Sequence, residues 1–167
     1  MKIPIRLSTG LFIFSLSAMA DETIHIPPAY VTWVSPENYR DIRTTGGSQK
    51  RFQSNLFQRL SEHFSEMARV YLKPEQTLRI QVTNLDLAGD TRHSSNTGQE
   101  IRVLTSITPP AISFNYQIKQ DGKALKSDSV RLTDLNYQSS VLGGSGSRAL
   151  VYEKQLIHDW ARKTLRK

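Results

Sequence analysis

Hydrophobic positions recur along this chain at two periods. Over residues 48–72 they fall at Phe52, Leu56, Leu60, Phe64, Met67, Ala68 and Tyr71, a single stripe at the repeat of an amphipathic helix. Ser48 stands where an N-cap is wanted, and Lys73-Pro74 closes the segment because a residue before proline disfavours helical backbone. A second helical stripe, over 149–166, uses Leu156, Ile157, Trp160, Ala161 and Leu165. Elsewhere apolar and polar residues alternate. After a Pro27-Pro28 break, Tyr30, Val31, Thr32, Trp33 and Val34 mark a first strand over 29–35. Leu78, Ile80 and Val82 alternate with Arg79, Gln81 and Thr83, and Leu85 and Leu87 continue after a one-residue slip that a bulge near Asn84 explains. A third strand begins at 101–104, is interrupted by Pro109-Pro110, and resumes as Ile112, Phe114, Tyr116 and Ile118. Asp121-Gly122 is a hairpin turn, and 124–132 returns with Val130 and Leu132 on one face. Residues 35–49 and 89–98 are polar and turn-rich and read as loops.

The order β-α-β-β-β-α predicts an α+β fold, a mostly antiparallel four-stranded twisted sheet with two amphipathic helices packed on one face. If the first two strands are parallel, the helix between them forms a right-handed crossover.

The first twenty residues follow another pattern. Lys2 and Arg6 precede an apolar stretch over 7–16, and the segment ends in Ala18-Met19-Ala20. This is the layout of a secretory signal peptide, with cleavage expected between Ala20 and Asp21. A spanning helix needs about 20 consecutive apolar residues, and Asp21 and Glu22 follow too soon, so no transmembrane anchor is expected. The division is therefore 1–20 as leader and 21–167 as a single α+β domain, a length able to bury its own core. Loss of Lys2 and Arg6 lowers the formal net charge from +7 to +5. That balance permits attraction to anionic lipid headgroups, lipopolysaccharide, acidic glycans or nucleic acid without choosing among them; the basic residues are spread along the chain and read first as ordinary solvated surface, and no nucleic-acid partner is expected. The chain has no cysteine, which excludes thiol catalysis and disulfides.

Candidate chemistry is sparse. His25, His63, His93 and His158 form no pair at metal-ligand spacing, and His63 with Glu66, sharing a helix face, is the nearest approach. There is no zincin pattern, nucleophile elbow or phosphate-binding Walker loop, so no cofactor, metal or catalytic residue is expected. Asp86 and Asp90 could act as acid and base, yet a strand-ending aspartate is more often a turn former. Asp134 and Glu153 raise the same question, and a buried carboxylate at either place would pair with Arg102 or Lys154. Residues 143–148 read first as a glycine-serine spacer. The alternative is an anion site built from Gly144, Ser145, Gly146, Ser147 and Arg148 at the start of the last helix. Tyr30, Trp33, Phe114, Tyr116 and Trp160 could form a stacking platform, but their periods are those of a core.

Six fragments stand in an order that resembles a known family. They are Ser35-Pro36-Glu37-Asn38-Tyr39-Arg40-Asp41-Ile42, Leu85-Asp86-Leu87-Ala88-Gly89-Asp90, Glu100-Ile101-Arg102-Val103-Leu104, Pro109-Pro110-Ala111-Ile112, Leu132-Thr133-Asp134 and Tyr152-Glu153-Lys154. Together with Asp159-Trp160 they resemble the domain-of-unknown-function family 3016, short exported bacterial proteins. The resemblance implies a Gram-negative periplasmic setting and nothing about catalysis. Members often carry Asp at the place of Glu100 and a basic residue at that of Ala111, which argues against chemistry at those two positions. The matching residues Asp86, Gly89, Arg102, Asp134, Tyr152, Glu153, Lys154 and Trp160 read as a buried polar network that locks the last helix to the sheet.

The function expected from all this is a non-catalytic binding or accessory module of the cell envelope, its partner an envelope protein or an anionic envelope polymer. A small-anion binder at 143–148 is one alternative. Another is a glycan hydrolase using Asp86, Asp134 or Glu153, which would need paired carboxylates about 5–10 Å apart in a cleft.

Overall fold

The computed structural model describes residues 21–94, 96, 98, 100–140 and 150–166, so residues 1–20, the segment expected to be a leader, lie outside the described residues. The chain opens with β1 (Glu22–Ile26) and β2 (Ala29–Trp33), an antiparallel hairpin whose turn is the cis Pro27-Pro28 peptide. Pro36–Asn38 makes one turn of 3₁₀ helix. The first helical stripe then becomes α1 (Gln49–Tyr71), with the Ser48 hydroxyl accepting from the Arg51 N–H as its N-cap. That helix returns the chain to the start of β3 (Gln76–Asp86), which lies parallel to β2. A small ribbon follows, β4 (Asp90–His93) paired with β5 (Glu100–Val103). Next come β6 (Ala111–Gln120) and β7 (Lys123–Thr133), joined at Asp121-Gly122, then the single turn α2 (Tyr137–Ser140) and finally α3 (Val151–Thr164).

The α+β class is as expected, but the sheet differs from the expectation in count and direction. It has five strands in the order β1-β2-β3-β6-β7 and is mixed rather than mostly antiparallel and four-stranded. Three physical reasons account for the difference. The proline pair that reads as a break serves as a hairpin turn and so admits one more strand, Glu22–Ile26. Crossover through α1 makes β2 and β3 parallel. Residues 100–103 pair with Asp90–His93 outside the main sheet, and that partner strand is wholly polar, so alternation could not reveal it. The phase slip is real: the β3–β6 register shifts between Val82 and Asn84.

Burial alternates as the pleat requires. Val31, Trp33, Leu78, Ile80, Val82, Ile112, Phe114 and Tyr116 face the helices, while their neighbours form an open polar face. The register aligns His25, Tyr30, Arg79, Gln117 and Ser127 in one row across that face, and Thr23, Thr32, Gln81, Asn115 and Ser129 in the next. These rows bond to themselves: Thr23 to Thr32 at 2.9 Å, Ser129 to Asn115 at 2.7 Å, and Arg79 over the Tyr30 ring. Four of the five aromatics considered for a platform are core residues, and Tyr30 alone stands on the open face, stacked with His25. Among the described residues no helix is long and apolar enough to cross a membrane.

Helix and sheet meet at an aromatic cluster. Trp33 stacks on Phe57 at 4.4 Å and donates its Nε1–H to the Ser61 hydroxyl at 3.2 Å. Tyr39 packs edge-on to both rings and donates its hydroxyl to the Val82 carbonyl at 2.8 Å. The Pro27 carbonyl accepts from Ser65 and from the Arg69 guanidinium, which fixes the first hairpin against α1. Phe57→Ala empties the centre of this cluster and should lower unfolding free energy by about 3–5 kcal/mol, read from urea denaturation followed by tryptophan fluorescence.

Candidate functional site

Leu87, Ala88 and Gly89 follow β3 directly, and this turn is held from several sides. The buried Glu153, 3 % exposed, reaches from α3 and accepts the Ala88 N–H at 2.8 Å. The Arg102 guanidinium, on β5, donates to the Gly89 carbonyl at 3.2 Å and to the Thr91 hydroxyl at 3.3 Å. It also donates to the Ala88 carbonyl at 3.5 Å and to the carboxylate and the carbonyl of Asp41 at 2.8 and 2.9 Å. Gly89 donates its own N–H to the Thr108 carbonyl at 3.0 Å. A Cβ at Gly89 would lie 2.5 Å from the Val103 carbonyl oxygen, and its φ is +83°, so both space and backbone require glycine.

Around this turn opens a cleft of about 690 Å³. Arg40 and Arg43 line it from the loop before α1, Asp86 and Asp90 from the end of β3 and the start of β4, and Arg131 from β7. Ile107 and Leu135 form apolar tips at its rim. Asp41 is ion-paired with Arg102, and Asp90 lies 3.5 Å from Arg92. Partial burial pushes the Asp86 carboxyl up, Arg40 and Arg102 pull it down, and Asp41 pushes it up again. Arg43 and Arg131 have no ion pair among the described residues. Arg40 and Arg43 also line a second recess, together with Glu37 and Glu100.

The residues singled out from the sequence do not all meet. Asp86, Arg102 and Glu153 lie close enough to act on one another electrostatically. Burial raises the Glu153 carboxyl most, and the Ala88 N–H lowers it. Its hydrogen-bond partner is that backbone amide, where the sequence suggested an ion pair with Arg102 or Lys154. Asp134 accepts the Asn136 N–H at 2.8 Å and shapes the turn after β7. Tyr152 packs edge-on to Tyr137 at 4.7 Å. The Lys154 carbonyl is bonded by His63 at 3.0 Å, and the other nitrogen of that ring lies 3.1 Å from Glu66, so His63 ties α1 to α3. Asp21 accepts the Ser35 N–H at 3.2 Å. Ala20 and the anion-site residues Gly144, Ser145, Gly146, Ser147 and Arg148 lie outside the described residues. No three acidic or histidine side chains are placed to hold a metal among the described residues.

Of the three carboxylates considered for hydrolysis, Asp86 alone lines this cleft. Arg40, Arg43 and Arg131 escaped the sequence reading. The first two sit in a segment read as loop, and the third on a strand whose apolar residues drew the attention; only the string Arg40-Asp41-Ile42-Arg43 hinted at a charged wall.

Two stability outcomes follow. Gly89→Ala should cost about 2–4 kcal/mol, from left-handed backbone and a backbone clash together, measured by thermal unfolding. Glu153→Ala strands the Ala88 N–H and should cost about 1–3 kcal/mol, whereas Glu153→Gln keeps an acceptor there. Because the folded-state carboxyl is raised, the folded chain holds the Glu153 proton to higher pH than the unfolded chain. Wild-type stability therefore falls as pH rises from the ordinary glutamate range through the folded-state pKa. Glu153→Gln should remove that part of the decline, seen as a growing advantage over wild type in urea titrations taken at increasing pH.

No curated protein and no solved structure matches the chain. A family model described as "Protein of unknown function (DUF3016)" matches residues 28–163, which takes in every strand of the sheet except β1, the ribbon and nearly all of α3. The fragments that carry the resemblance meet in space: five of the six contribute to the Ala88-Gly89 turn, to Arg102 or to the cleft wall, and Glu153 comes from the sixth. On the extent of that match the chain belongs to the DUF3016 family.

Proposed function

We propose that the chain is exported and works as a non-catalytic binding module of the cell envelope, with the arginine-rimmed cleft as its recognition site. The observation that carries this reading is the convergence of Arg40, Arg43 and Arg131 on one cleft. Two of the nearby acids are occupied by other arginines, Asp41 by Arg102 and Asp90 by Arg92. Arg43 and Arg131 are exposed, and a planar guanidinium donates two parallel hydrogen bonds to a phosphate or carboxylate, so the cleft suits an anionic group. The open sheet face is a weaker candidate because its polar side chains are bonded to one another. Export is supported by the leader-like first twenty residues, and a periplasmic address by the family resemblance.

The test uses cells expressing the tagged full chain, as wild type and as the Arg43→Glu/Arg131→Glu double variant, cross-linked intact. Mass spectrometry of the recovered protein should find an N-terminus at Asp21. Wild type should capture one envelope component, and the charge reversal should reduce that capture at least about tenfold, equivalent to ~1.4 kcal/mol. A chain retaining residues 1–20 would overturn the export reading, and equal capture by both forms would overturn the cleft as the recognition site.

A further inference from the structure

We infer that the cleft docks this protein on an anionic lipid bilayer, with the arginines on lipid phosphates and the aliphatic tips in the headgroup region. This rests on the reading of the cleft as an anion site and adds the identity of the surface. Ile107 is 80 % exposed and Leu135 75 %, the two most exposed large apolar side chains among the described residues. Scattered exposed aliphatics are ordinary, and Val70 and Leu125, outside this cleft, are examples. The pair at 107 and 135 differs because both tips rim one cleft that also carries Arg40, Arg43 and Arg131. Ile101 and Leu104, also exposed, are close to Arg102 in sequence but do not line the cleft.

A soluble anion would satisfy the guanidinium groups and leave the aliphatic tips in water. A bilayer surface satisfies both at once. Its phosphates meet the guanidinium groups, and the boundary between headgroups and acyl chains accepts side chains that protrude a few ångströms. Charge complementarity of this kind brings the surface within reach, and shallow apolar insertion then holds it. Such binding is reversible and weakens as salt rises, because the arginines are exposed and ionic screening acts over about 8 Å at 0.15 M.

The test is sedimentation of the processed protein, isolated from cells expressing the full chain, with vesicles of phosphatidylglycerol and phosphatidylethanolamine. Vesicles of phosphatidylcholine are the neutral control, and soluble polyphosphate is the anion without a bilayer. Wild type should bind the anionic vesicles at least tenfold more tightly than the neutral ones. Ile107→Asp/Leu135→Asp should lose at least tenfold on anionic vesicles and keep its polyphosphate affinity. Val70→Asp/Leu125→Asp should match wild type. Equal binding to both vesicle types, or undiminished binding by the tip variant, would overturn the inference. Polyphosphate binding without vesicle binding would overturn the lipid inference and leave the anion-binding cleft standing. Binding to neither would overturn both.

Discussion

The arrangement around the cleft depends on the peptide groups of Ala88 and Gly89. The N–H of the first goes to a carboxylate on the last helix, the carbonyl of the second to a guanidinium on the ribbon, and the N–H of the second to the loop before β6. One turn at the end of a central strand thereby fixes three later segments. Arg102 extends the reach to a fourth, since the same guanidinium holds Asp41 by side chain and backbone. Buried polar groups are tolerated only when satisfied, so this cluster resists piecemeal change: removing one member strands another.

Much of the scaffold was legible because it obeys simple periods. The α1 stripe, the Ser48 cap, the Asn84 slip and the Asp121-Gly122 turn are all local signals, each with one dominant physical cause. What stayed hidden depends on pairing across distance. β4 has no apolar residue facing a core, and Pro27-Pro28 reads as an interruption unless the strand before it is already known to exist. Phe57 and Ser61 lie beside the predicted helix stripe and are buried where Trp33 of the sheet stacks on the Phe57 ring and donates to the Ser61 hydroxyl, which no single-helix pattern reports.

The site was legible in a different measure. Glu153 and Arg102 enter the sequence reading as a candidate ion pair and as residues of the family-like fragments, and the structure brings them to one turn. Their partners are backbone groups, and a sequence does not show which amide a carboxylate will meet. Beyond the string Arg40-Asp41-Ile42-Arg43, the arginines of the cleft carry no local mark, since an exposed arginine in a loop or on an edge strand looks like ordinary solvated surface. Their common location arises from strand order, with the β3 end, the β6 start and the β7 end brought side by side, and from Arg102, which holds the loop carrying Arg40 and Arg43 through Asp41.

The walls of the cleft are drawn from residues 40–43, 86–90, 107–111 and 131–135, stretches far apart along the chain. No fragment of the molecule holds the cleft by itself. The cleft is therefore a property of the completed fold, and any ligand bound there would favour the native state over every partly assembled one, by an amount that grows with the logarithm of ligand concentration. In a chain without disulfides to lock it shut, occupancy of the cleft and integrity of the fold become one equilibrium.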